Sequence, residues 1–164
     1  MRTLVLGGIR SGKSRWAEAA IADAVGPGEP VRYVATGPKE DSDPSWSARI
    51  AAHRARRPAH WSTIETDDVA TLLRENTTTA TLIDDVGGWL ASDLDRPDAD
   101  ELLSAISGFD AVLVLVSPEV GLTVVPATAS GRRFADELGR LNQRLADICD
   151  RVVLVVAGQP VSVK

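Results

Sequence analysis

The sequence predicts an α/β fold, a mostly parallel sheet covered by helices on both faces, and three observations lead there. Short, largely apolar runs such as Thr3-Leu4-Val5-Leu6, Ala111 to Val116 and Val152 to Val156 have the length and the β-branched content of buried strands. Longer stretches between such runs carry apolar residues at steps of three and four, as amphipathic helices require. The two kinds of segment alternate, which is the order that parallel strands joined by crossover helices produce.

Element by element, the strand at Thr3–Leu6 runs into a glycine turn and then a helix from Lys13 to Val25, with Trp16, Ala19, Ala20 and Ala24 expected on its buried face. Gly26-Pro27-Gly28-Glu29-Pro30 stops that helix. A strand at Val31–Ala35 leads through Thr36-Gly37-Pro38 into a polar loop from Lys39 to Pro44 and a helix from Ser45 to Arg57, ended by Pro58. A brief strand at Trp61–Glu65 precedes a helix carrying Val69, Leu72 and Leu73. The strand Ala80–Ile83 then ends in Asp84-Asp85, and a shorter helix carries Leu102, Leu103 and Ile106. After the strand at Ala111–Val116, Phe134, Leu138, Leu141, Leu145 and Ile148 alternate steps of four and three and so draw one continuous stripe on the longest helix. The strand Val152–Val156 is followed by a turn at Gly158-Gln159-Pro160, which returns Val161-Ser162-Val163 as an antiparallel edge strand.

Length and composition narrow the functional classes. A chain of 164 residues holds one domain with a sizeable core, so a nucleotide and a second substrate would share one body. The 23 acidic against 18 basic side chains argue against a nucleic-acid coat, which makes any local basic cluster informative. A single cysteine, Cys149, cannot form an internal disulfide and reads as a small apolar helix residue in a reducing, cytoplasmic protein. No apolar run reaches the length of a membrane span.

The chemistry begins at Gly7-Gly8-Ile9-Arg10-Ser11-Gly12-Lys13-Ser14, a glycine turn between a strand and a helix. Gly7 and Gly12 allow backbone angles and close approaches that side chains forbid, so successive N–H groups can face one concavity and bind phosphate oxygens. Lys13 adds a point charge there. Ser14 sits in the first helical turn, where its hydroxyl can coordinate Mg²⁺. Such a site needs an acid at the end of a neighbouring strand to hold the metal, and Asp84 meets that requirement, with Asp85 as the second choice. The expectation is a P-loop (RecA-like) three-layer sandwich binding ATP or GTP.

A basic cluster surrounds one of the two histidines. On a helix, Arg49 lies four residues before His53, and Arg56 and Arg57 three and four after it, with Arg54 adjacent in sequence. Three guanidinium groups along one flank oppose protonation of the imidazole, and a neutral imidazole is a nucleophile. The same arginines can hold the phosphates that it attacks. The alternative is a buried face of Trp46, Ile50 and His53 with solvated arginines. His60, between Pro58 and Trp61, has no comparable company and reads as structural.

Together with Tyr33-Val34-Ala35-Thr36, Arg57-Pro58, Glu119-Val120-Gly121, Val125-Pro126, Arg133-Phe134, Gly139 to Arg144 and Leu154 to Gly158, these motifs span nearly the whole chain. In that order they resemble the bifunctional adenosylcobinamide kinase and adenosylcobinamide-phosphate guanylyltransferase family of cobalamin biosynthesis. The resemblance implies two reactions. A hydroxyl of the corrinoid substrate takes the γ-phosphate of ATP or GTP, and a histidine, here His53, then takes GMP from GTP and passes it to the new phosphate. It also implies that Ala35, Thr36 and Gly37, the arginines beside His53, Glu65 and Asp84 contact the nucleotide. Glu65 suits guanine, whose N1–H and amino group both donate to a carboxylate. A homotrimer with sites between subunits is implied as well. The sequence departs from the family pattern at Pro118, where Asn is usual, at Val86-Gly87-Gly88-Trp89, and in a shortened stretch before Ser117. Two other readings fit the glycine turn alone: a P-loop kinase of another small metabolite, and a non-catalytic nucleotide-binding subunit.

Overall fold

Leu4 and Val5 are both fully buried, yet they belong to different cores. The same division holds for Ile83 against Leu82 and for Leu115 against Val114 and Val116, as the two-residue period of a strand dictates when both faces of a sheet are covered. The computed structural model describes residues 1–37, 57–95 and 99–164. In these residues the strands are β1 (Arg2–Gly7), β2 (Arg32–Ala35), β3 (Ser62–Glu65), β4 (Thr81–Asp84), β5 (Leu113–Pro118), β6 (Arg151–Val156) and β7 (Gln159–Ser162). The helices are α1 (Lys13–Val25), α2 (Val69–Glu75), α3 (Val86–Ser92), α4 (Ala99–Ser107) and α5 (Ala129–Ile148).

The strands form one sheet in the order β3-β2-β4-β5-β1-β6-β7. Every pairing is parallel except that of β6 with β7, which is antiparallel, so the mostly parallel sheet with its C-terminal antiparallel edge is as expected. Helix α1 packs on one face through Ala17 and Ile21. The other face carries α2, α3, α4 and α5, through residues such as Leu73, Leu90, Ile106 and Leu141.

The structure corrects several local expectations. The buried face of α1 is Lys13, Ala17 and Ile21, spaced by four, whereas Ala19 and Ala24 are exposed. Alanine favours a helix at any position, so it says little about which face is inside. Helix α3 is absent from the sequence reading because Gly87 and Gly88 are poor helix formers. It starts because the Asp85 carboxylate accepts the Gly88 N–H at 2.6 Å, as an N-cap. The last turn lies at Ala157 and Gly158, both with positive φ (50° and 79°), one residue earlier than expected. That two-residue form matches the strand twist, and Pro160 then falls inside β7, which an edge strand tolerates. Cys149 is the C-cap of α5 and not a residue of its body. The stripe on α5 is as expected: Leu138, Leu141 and Leu145 are buried, with Phe134 and Ile148 packed at its ends.

Candidate functional site

Parallel strands bring their carboxyl ends to one rim, where the sequence motifs meet. Gly7 ends β1, and Glu119, just after β5, donates its N–H to the Gly7 carbonyl at 3.0 Å. The turn from Gly8 to Gly12 tightens through Ser11 N–H to Gly8 O at 3.2 Å, and Lys13 Nζ reaches the same carbonyl at 3.4 Å. Gly12 has a φ of 94°, in the left-handed region that favours glycine. Gly7 is required for a different reason: a Cβ there would lie 2.4 Å from Ser11 Oγ and 2.9 Å from the Val155 carbonyl. Arg10 also takes a positive φ, 57°. The β6–β7 turn braces the loop from behind, with Gly158 N–H donating to Ser11 O at 2.7 Å. Helix α1 starts at Lys13 with no acidic residue in its first turn, so its partial positive charge faces the concavity unopposed by a carboxylate of its own.

Asp84 ends β4, which is separated from β1 by β5, so the acid comes from the next strand but one and not from a direct neighbour. Ser14 Oγ nevertheless lies 3.3 Å from Asp84 Oδ1. A hydroxyl and a carboxylate meeting beside this glycine turn are the hard oxygen donors that Mg²⁺ prefers. The other carboxylate oxygen, Oδ2, accepts a 2.5 Å hydrogen bond from the hydroxyl of Tyr33 on β2. Burial first, and then the negative charge of Asp84, push the Tyr33 phenol well above its ordinary range, so it remains a donor. The Arg57 guanidinium lies over the Tyr33 ring with its carbon 3.3 Å from the centroid, and Nη1 donates to Thr63 Oγ1 at 3.0 Å. Asp85, the second choice for the metal, uses its carboxylate to cap α3.

The other expected contacts lie along the same rim. Ala35 is paired with Asp84 on one side and Glu65 on the other, which sets the three residues at one level of the sheet. Thr36 and Gly37 leave β2 against the first turn of α3, where Thr36 Oγ1 donates to the Asp85 carbonyl at 2.5 Å. Gly37 N–H donates to Asp67 at 3.1 Å. His53, Arg54 and Arg56, with Arg49 and the loop and helix expected around them, lie outside the described residues. His60 is exposed, next to the bond from Trp61 N–H to the Pro58 carbonyl.

Two groups were not singled out by sequence reasoning. Tyr33 entered the sequence reading as part of the motif Tyr33 to Thr36, with no role of its own; the signal for one is that a buried phenol needs a hydrogen-bond partner. Asn142, on the buried stripe of α5, ties that helix to the end of β5: it accepts from Ser117 Oγ at 2.6 Å and donates to the Pro118 carbonyl at 3.0 Å. A polar residue within an apolar stripe was the available signal.

Comparison with known proteins identifies the family. Residues 3–163 match the CobU family, described as cobinamide kinase / cobinamide phosphate guanyltransferase. The chain is 41% identical to the bifunctional adenosylcobalamin biosynthesis protein CobP of Pseudomonas aeruginosa, across 100% of this chain and 98% of that protein. It is 41% identical to the bifunctional adenosylcobalamin biosynthesis protein CobU of Salmonella typhimurium and 36% identical to that of Escherichia coli, in both cases over the full length of each chain.

Proposed function

The chain belongs to the cobinamide kinase / cobinamide phosphate guanyltransferase family and is an enzyme of that class, and from this we propose that it phosphorylates adenosylcobinamide with ATP or GTP and then converts the product to adenosylcobinamide-GDP through a guanylylated His53. In the first step the substrate hydroxyl attacks the γ-phosphorus, its proton is lost, and the nucleoside diphosphate leaves. In the second, an imidazole nitrogen of His53 attacks the α-phosphorus of GTP and pyrophosphate departs. A phosphate oxygen of adenosylcobinamide phosphate then attacks the same phosphorus, freeing His53 and forming the diphosphate bridge.

The observation that carries this reading is the meeting of Ser14 and Asp84 over a loop whose glycines fit a phosphate cradle, within a chain matched to the family end to end. The backbone from Gly7 to Ser14 holds the β- and γ-phosphates, and Lys13 supplies charge. Ser14 and Asp84 would hold Mg²⁺, which neutralises developing charge on the phosphates. Arg54 and Arg56 grip the nucleotide near His53, and Ala35, Thr36, Gly37 and Glu65 receive the guanine base. Assembly as a cytoplasmic homotrimer belongs to the same reading. Among the described residues no helix is long and apolar enough to cross a membrane.

The test is incubation with α-labelled GTP, Mg²⁺ and adenosylcobinamide, with the phosphate and GDP adducts measured separately. Both adducts are expected, together with an acid-labile, alkali-stable protein label that H53A abolishes and H60A retains. A label on another residue, or turnover without any label, would sink the histidine mechanism. Phosphate adduct alone would favour a kinase acting on this or another small metabolite.

A further inference from the structure

Asp84 is held from both sides. Ser14 Oγ is at Oδ1, while Oδ2 takes the Tyr33 hydroxyl at 2.5 Å. A carboxylate at a strand end can rotate about its last bond, and nothing in β4 itself prevents Oδ1 from leaving the direction of Ser14. The Tyr33 hydroxyl removes that freedom by donating to Oδ2, which holds the carboxylate in the one orientation that keeps Oδ1 toward Ser14. Tyr33 is itself immobilised: it is 2% exposed, its ring belongs to the core beneath α1, and the Arg57 guanidinium covers one face at 3.3 Å. Arg57 is anchored in turn on Thr63 of β3. The contacts run from β3 through β2 to β4 and end on the metal-binding carboxylate.

We propose that Tyr33 is a positioning residue for the metal site: its hydroxyl orients Asp84 toward Ser14, and Arg57 acts through Tyr33 by clamping the phenol ring. The proposal rests on the reading of Ser14 and Asp84 as the Mg²⁺ ligands. It gives Arg57 a role that requires no contact with nucleotide. Outer groups that orient a metal ligand commonly change metal affinity by about tenfold or more when removed.

The experiment measures GTP affinity by titration calorimetry with Mg²⁺ and again in excess EDTA, for wild type, Y33F, R57A and D84N. Y33F keeps the ring and removes only the donor. It is expected to lower affinity in Mg²⁺ by about tenfold and to leave affinity in EDTA within about twofold of wild type. R57A keeps the hydroxyl and frees the ring, and the same selective loss is expected at roughly threefold. A merely structural role would lower the melting temperature and both affinities together, and that result overturns the proposal, as does Y33F binding unchanged in Mg²⁺. Loss of EDTA affinity in R57A would show that Arg57 grips the nucleotide directly and would overturn the clamp. If Y33F does not fold, the R57A comparison decides. D84N separates this idea from its premise. Retention of Mg²⁺-dependent binding in D84N refutes the metal assignment, whereas loss in D84N without loss in Y33F refutes Tyr33 alone.

Discussion

Gly87 and Pro118 pack so closely that a β-carbon on Gly87 would lie 2.7 Å from Cγ and 2.9 Å from Cδ of the proline ring. Pro118 and the stretch Val86 to Trp89, which the sequence reading marked as departures from the expected family pattern, are brought into contact by the structure, α3 against the end of β5. A proline ring cannot turn aside as a flexible side chain can. G87A is therefore expected to destabilise the protein by about 1–3 kcal/mol through overpacking. In a P118A background the same change should be neutral, or stabilising by up to about 1 kcal/mol, because alanine is the better helix former. Urea denaturation of the four proteins in a double-mutant cycle measures the coupling, and additive effects would show that the contact is not the cause.

Arg32 illustrates how a buried cation is accommodated. It is 8% exposed, and its Nε and Nη2 both donate to Thr81 Oγ1, at 3.0 and 2.9 Å, while Nη2 also reaches the Asn76 carbonyl at 2.7 Å. Burial lowers its pKa from the ordinary arginine value. T81V preserves shape and strand preference but removes the acceptor shared by two guanidinium nitrogens. A loss of about 1–3 kcal/mol in unfolding free energy is expected. T79V, which keeps the carbonyl that Thr81 Oγ1 donates to, should cost much less; equal losses would refute the account.

What could be read from the chain depended on how local each feature is. The glycine turn, Lys13 and Ser14 fall within eight consecutive residues, and the roles proposed for them follow from strand, turn and helix in that order. Strand positions were legible because both faces of the sheet are covered, so runs such as Leu113–Val116 are apolar throughout. The order of strands was not, because β5 enters between β1 and β4 only after β4 has been made. Helix α3 was hidden by its glycines, whose reason is Pro118 and Thr36, far away in sequence. Tyr33 had no readable role until β2, β3 and β4 were aligned. Asp84 could be chosen from its position at a strand end, but its second hydrogen bond could not.

Cys149 leads to a pH prediction. Burial pushes its thiol up from an ordinary 9.0 to about 11. A raised pKa means that the native protein keeps a proton which the unfolded chain has lost, so the stabilising contribution is complete below pH 9.0 and disappears as pH rises through about 11. In that window the unfolding free energy should fall with pH by up to about 1.4 kcal/mol per unit from this group. C149A should be less stable at neutral pH and show a shallower decline. Parallel curves for the two proteins between pH 9.0 and 11 would show that the thiol does not titrate on unfolding in this way.

Gly8 and Gly12 separate two reasons for a glycine in the proposed phosphate loop. A β-carbon on Gly12 would meet the Gly158 Cα at 3.2 Å, and the φ of 94° is strained for alanine. G12A should therefore lose about 1–3 kcal/mol of stability and also weaken GTP binding, since the amides of the turn would be displaced. Gly8 has no heavy atom within 4 Å of where a β-carbon would stand and is exposed. G8A should fold with wild-type stability, so any loss in its GTP affinity would come from a side chain placed where the ligand approaches the backbone. Thermal denaturation with and without GTP distinguishes the two. The expected pattern is a lower apo melting temperature for G12A alone, with ligand stabilisation reduced in both. A lowered apo melting temperature in G8A would mean that the loop depends on Gly8 for its own folding, and the separation of the two roles would fail.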